Sequence, residues 1–201
     1  MPVMKHRVML LLVMVECIVS TYGVKDSKEH FTKHWIAKFK SFFDNTDPNG
    51  DGIVTKEEYI DATAKRAGKV LESWRAKAVY GIMSELYLYW WSNTNTNYKT
   101  SMTFEEWLPA IEKELGNSSE EVFRDSWDWF HTFDLDCDAR LTLDEYSNFL
   151  FVIHNTASVQ DIFKVIDHDA NGILDGEEFT NAFRHAFFDQ NASPDEIIFG
   201  S

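Results

Sequence analysis

Cysteine is almost missing from this chain, which holds two, Cys17 and Cys137. Cys17 falls in an apolar leader, so once the leader is removed no internal disulfide can form. Positive charge is short as well: Lys and Arg number 19 against 33 Asp and Glu, a formal charge of −14. Nucleic acid is an unsuitable partner for such a surface, because its phosphates repel it. Cations, basic proteins and mineral surfaces are suitable ones. Methionine is scarce beyond the leader, with Met83 and Met102 alone. There is no Gly-rich phosphate loop and no Ser/His/Asp order for acyl transfer, so no enzyme activity is expected. No apolar run is long enough to span a bilayer.

Aromatic and apolar residues are plentiful. The 201 residues are 44% hydrophobic and 15% aromatic, enough for one well-packed domain or two small ones and unlike a disordered acidic tail. The first 23 residues stand apart. Lys5, His6 and Arg7 make a basic start, Val8 to Val15 is unbroken apolar sequence, and Thr21, Tyr22 and Gly23 follow. This is the pattern of a secretory signal peptide. The alternative is an uncleaved amphipathic first helix, which the charge of Glu16 at the end of the apolar run would suit. Loss of Lys5, Arg7 and Glu16 with the leader takes the formal charge from −14 to −15. The chain ends in IIFGS, not an ER-retrieval tetrapeptide, so secretion is expected over residence in the secretory lumen. Two glycosylation sequons accompany it, at Asn117 and Asn191, the second followed by Pro194.

Three twelve-residue stretches share one pattern: DPNGDGIVTKEE (Asp47–Glu58), DLDCDARLTLDE (Asp134–Glu145) and DHDANGILDGEE (Asp167–Glu178). Oxygen-bearing side chains recur at the first, third, fifth, ninth and twelfth places. Calcium is a hard cation that takes about six to eight oxygens and favours a bidentate Glu at the end of such a loop. The first set is Asp47, Asn49, Asp51, the Ile53 carbonyl, Thr55 through water, and Glu58. The third is Asp134, Asp136, Asp138, the Arg140 carbonyl, Thr142 through water, and Glu145. The fourth is Asp167, Asp169, Asn171, the Ile173 carbonyl, Asp175 and Glu178. All three fit the calcium loop of an EF-hand. Ala139 stands where the third loop should have Gly, at a strain of about 1–2 kcal/mol.

The flanks support the loops. Phe43, Phe130 and Phe163 precede them by four residues, and Tyr59, Tyr146 and Phe179 follow the final Glu. Four residues is about one helical turn, so each loop joins two helices with aromatics turned inward. Val54, Leu141 and Leu174, at the eighth places, should pair as short strands and fill the core. EF-hands pair, and NTNYKTSMTFEE (Asn95–Glu106) keeps the frame of a second hand, with Trp91, Met102 and Trp107 at the matching places. Lys99, Thr100 and Asn95 spoil it for a divalent ion, since an ammonium in the cage repels one. Thr103 and Glu106 still form a capping box. The expectation is an all-α fold of two EF-hand pairs in one compact globule. It runs as a leader at 1–23, pair one at 28–115, pair two at 118–188 and a tail at 189–201. A long helix enters the silent loop with Trp74, Tyr80, Met83, Tyr87 and Trp90/Trp91 at apolar spacing. Gly116 stops one helix, Ser118 or Ser119 caps the next, and a last short helix follows Ser193-Pro194.

Three armed loops, a silent second one and a long aromatic third helix resemble the sarcoplasmic calcium-binding protein group, which is similar in fold to calexcitins, coelenterazine-binding proteins and calcium-triggered photoproteins. The resemblance implies a compact globule with a large apolar interior, closed by its tail. It also raises a luciferin-binding reading, which the residues disfavour. Trp35 matches the photoprotein first helix, but Phe39 and Phe183 stand where liganding His residues are expected, and Phe187 and Phe199 replace the Trp and Tyr of the tail. His34 and His185 are the near substitutes, each expected to lie exposed on its helix. Two function classes remain: a calcium buffer or sensor, and an acidic calcium-binding component of an extracellular or mineralising matrix.

Overall fold

The computed structural model describes residues 31–92, 100–115 and 120–191. The leader, Asn95 and Lys99 of the silent loop, Gly116, Asn117, Ser118 and Ser119, and the helix expected after Ser193 lie outside the described residues. So does the side chain of Trp91. Within the unit Phe31–Ser201 the described structure is all-α, with short strands only inside the loops.

Helix α1, Lys33–Thr46, opens on a cap: the Thr32 hydroxyl accepts the Trp35 N–H at 3.2 Å, satisfying a donor the helix leaves orphaned. Trp35, Phe39 and Phe43 fall on one face and are buried. Strand β1, Ile53–Thr55, pairs antiparallel with β2, Ser101–Thr103, and sets Val54 opposite Met102. The helix leaving the first loop begins with a π-helical turn, Glu57–Asp61, and continues as α2, Ala62–Val70. The extra residue in that turn lets the adjacent Tyr59 and Ile60 both be buried. Helix α3, Ser73–Ser92, and α4, Phe104–Leu115, flank the silent loop. Its capping box forms, with the Thr103 N–H to Glu106 at 3.2 Å and the Glu106 N–H to the Thr103 hydroxyl at 3.3 Å.

The second pair repeats the plan. Helix α5, Glu120–Phe133, leads into the third loop and α6, Leu143–Val152, leaves it. Helix α7, Val159–Ile166, and α8, Gly176–Phe188, enclose the fourth loop. Strand β3, Arg140–Leu141, pairs antiparallel with β4, Leu174–Asp175, so Leu141 meets Leu174. All the eighth-place side chains are buried.

One hydrophobic cluster runs through both pairs. Phe39 meets Phe187 edge-on at 5.6 Å, and Arg66 Nε donates to the Val152 carbonyl at 2.7 Å. The end of α8 is fastened to α1. Trp35 Nε1 donates to the Phe187 carbonyl at 2.8 Å, Lys38 Nζ to the Asp189 carbonyl at 2.9 Å, and the Thr32 hydroxyl to the Gln190 carbonyl at 2.7 Å.

Helix α3 corrects the sequence reading. Met83 and Trp90 are buried as expected, but Trp74 is 60% exposed and Tyr80 45% exposed. The helix is apolar on nearly all sides, so spacing alone did not choose its inner face. That face carries Val79, Met83 and Trp90, and at its head a buried Arg75.

Candidate metal centres

The three armed loops fold around their first aspartate. Asp47 Oδ2 accepts the N–H of Gly52 at 2.8 Å, Asp134 Oδ2 that of Ala139 at 3.0 Å, and Asp167 Oδ2 that of Gly172 at 2.9 Å. The twelfth-place Glu closes each loop the same way. Glu58, Glu145 and Glu178 accept the ninth-residue N–H of Thr55, Thr142 and Asp175 at 2.9, 2.8 and 3.1 Å. In the third and fourth loops that Glu also reaches back to the second residue, accepting from the Leu135 N–H at 2.7 Å and the His168 N–H at 2.9 Å. In the first loop it takes the Asn49 amide at 2.6 Å. The Thr142 and Asp175 side chains serve twice, as loop residues and as helix caps with Glu145 and Glu178.

These bonds hold carboxylates of like charge together. Among the described residues, ligand oxygens of Asp134, Asp136 and Asp138, and of Asp167, Asp169 and Glu178, lie within 4.8 Å of one another. Asp134 is 5% exposed and Asp47 7%. Burial works against the charge on Glu145, but the Thr142 N–H and hydroxyl and the amides of Leu135 and Asp136 outweigh it and hold its carboxyl below the ordinary value. The first loop has an amide at its third place, Asn49, and brings no such trio of carboxylates together. The donors are oxygens throughout, with no imidazole or thiolate among the expected ligands. That set fits a hard cation such as calcium and does not fit zinc. Arg140 and Ile53 take part in the strand register, and with Ile173 they would offer backbone carbonyls.

Backbone geometry adds a feature that spacing did not reveal. The sixth place is left-handed in each of the three armed loops (Gly52 φ 80°, Ala139 φ 64°, Gly172 φ 83°), and so is the fourth (Gly50 φ 70°, Cys137 φ 61°, Ala170 φ 55°). The first loop has Gly at both places, the fourth loop at one, and the third loop at neither. The Gly50 already visible in the first loop was the signal for the fourth place.

Helix–loop–helix units joined in pairs by a two-stranded ribbon between oxygen-lined loops decide the architecture. The fold is that of the EF-hand proteins. The EF-hand domain pair family matches residues 155–186, which carry the fourth EF-hand loop and its helices. Solved EF-hand structures match across most of the chain. A sarcoplasmic calcium-binding protein from amphioxus superposes with TM-score 0.62 at 16% identity, covering 86% of this chain and 99% of its own. A coelenterazine-binding protein from Renilla muelleri, in a calcium-loaded apo form, gives 0.63 at 20% identity, covering 83% and 94%. The photoprotein clytin gives 0.66 at 20% identity, covering 89% and 97%. Among the described residues no helix is long and apolar enough to cross a membrane. The histidines weighed for a luciferin, His34 and His185, are exposed, while Phe39 is fully buried. Asn191 is exposed.

Proposed function

We propose that this EF-hand protein binds calcium at three loops, Asp47–Glu58, Asp134–Glu145 and Asp167–Glu178, and works as a calcium buffer or sensor outside the cytosol. The observation that carries the reading is the geometry common to all three. The first aspartate is anchored to the sixth amide, and the twelfth glutamate to the ninth, before any ion is considered. Each set then has further oxygen lone pairs for a cation of about six to eight ligands. The similar structures support it, since one is named a calcium-binding protein and another is described as calcium-loaded. The apolar leader supports a secretory or extracellular setting.

The second reading is an acidic calcium-binding component of an extracellular or mineral matrix, favoured by the formal charge of −14. A luciferin-like ligand has less support. A cavity between the pairs, lined by Phe42, Tyr59, Met83, Trp129, Phe149 and Phe183 among others, holds about 70 Å³. Sites for drug-sized ligands run to roughly 300–1,000 Å³.

Calorimetric titration of the full chain with calcium, at physiological salt with magnesium present, tests the proposal. Three sites at roughly 0.1–10 µM or tighter fit a buffer or sensor, and sites near roughly 0.1–1 mM fit a matrix component. Absence of calcium binding would overturn both.

A further inference from the structure

Arg75 lies in the first turn of α3, in the first EF-hand pair, and is 3% exposed. Its guanidinium reaches across into the second pair. Nη1 donates to the carbonyls of His131 at 2.8 Å and Thr132 at 2.9 Å, in the last turn of α5, where helix carbonyls lack partners and carry partial negative charge. Nη2 donates to the Leu135 carbonyl at 3.3 Å and to Cys137 Sγ at 3.5 Å. Those are the second and fourth residues of the third loop. The ring of Trp74 lies 4.5 Å from the guanidinium carbon, which accounts for a tryptophan left facing solvent.

The third loop is the one with side chains at both left-handed places, Cys137 and Ala139. Left to itself, such a loop favours other conformations. We infer that Arg75 is a positioning residue for the third calcium site: from the opposite EF-hand pair it ties the strained loop to the end of α5 and holds it in the cation-binding shape. The inference rests on the calcium reading above. Two effects of Arg75 oppose each other. Its charge repels a cation nearby, whereas its fork of donors fixes the loop and reduces the ordering that binding requires. Bonds to two loop atoms and two helix carbonyls through one planar group favour the second effect, and a lysine cannot reproduce that fork.

The test follows the amide resonances of Gly52, Ala139 and Gly172 during calcium titration of the full chain, as the reporters of the three loops. In Arg75→Met the midpoint at Ala139 should rise about tenfold, the size expected for losing charge-assisted hydrogen bonds, with Gly52 and Gly172 far less affected. Arg75→Lys keeps the charge and should weaken the same site, which separates geometry from charge and guards against a Met variant that does not fold. Adding Ala139→Gly to Arg75→Met should recover most of the loss. An unchanged or lower midpoint at position 139, an equal shift at all three amides, or no recovery with Ala139→Gly would overturn the role of Arg75 alone. If none of the three amides of the unmodified chain responds to calcium, the calcium reading falls and this inference with it.

Discussion

Reciprocal substitutions at the sixth places of the first and third loops put the left-handed backbone to a direct test. Gly52 has φ 80°, and a Cβ placed there meets nothing within 4 Å. Gly52→Ala therefore costs conformational strain and no steric clash. That strain is about 1–2 kcal/mol, offset by about 0.4–1 kcal/mol because alanine restricts the unfolded chain. The net loss is about 1 kcal/mol. Ala139 has φ 64° and is exposed, so Ala139→Gly removes the strain, leaves no cavity, and gives a gain of similar size. In a chain of this length 1 kcal/mol corresponds to a shift of about 2–4 °C in Tm. Thermal unfolding followed by circular dichroism, in calcium sufficient to fill every site, should show Gly52→Ala melting lower and Ala139→Gly melting higher than the parent. Shifts of the same sign, or a Gly52→Ala variant more stable than the parent, would refute the reasoning.

Glu58→Gln and Glu178→Gln should each remove one calcium site from the calorimetric stoichiometry and leave the others in place, since each Glu closes a separate loop. Trp35→Phe keeps the ring in the core but leaves the Phe187 carbonyl without its indole donor. It should cost about 1–3 kcal/mol, read as a lower urea midpoint at unchanged slope. Burial, with the charge of Asp125 adding to it and a bond with Trp90 offsetting part, pushes the Tyr59 phenol well above its ordinary 10.0. The fold thus favours the neutral phenol. Its contribution is complete below pH 10 and fades above it, as the unfolded chain ionises and the folded chain does not. Tyr59→Phe should therefore lose stability less steeply than the parent above pH 10 in chemical denaturation.

Most of the architecture was legible because the calcium-loop pattern ties chemistry to a strict count of residues. Asp47, Asp134 and Asp167 announce loops, and the aromatics four residues before and one after announce helices. The eighth-place residues Val54, Leu141 and Leu174 announce the ribbons that pair them. The capping box after the second loop followed from Thr103 and Glu106. What escaped was of three kinds. Helix α3 has apolar residues on too many sides for periodicity to choose its inner face, so Trp74 and Tyr80 read as core although both are exposed. Arg75 and the clasp between α1 and α8 depend on tertiary contacts between residues far apart in sequence. A buried arginine that caps a distant helix has no local pattern, since arginine in a helix reads as solvent-facing. The fourth-place left-handed residues Cys137 and Ala170 were hidden for another reason: those side chains mask a backbone conformation that glycine would have advertised.

The clasp also bears on the order in which the protein assembles. Thr32, Trp35 and Lys38 bond with the backbone of Phe187, Asp189 and Gln190, up to 158 positions later in the chain. Synthesis delivers α1 well before α8, so among the described helices α1 waits for α8 before the Trp35 indole meets the Phe187 carbonyl. Contacts of such sequence separation slow folding, because loop closure must precede any reward from the contact. A nascent chain that already holds its first loop still lacks the carbonyls that Thr32, Trp35 and Lys38 bind, until the end of α8 has been made.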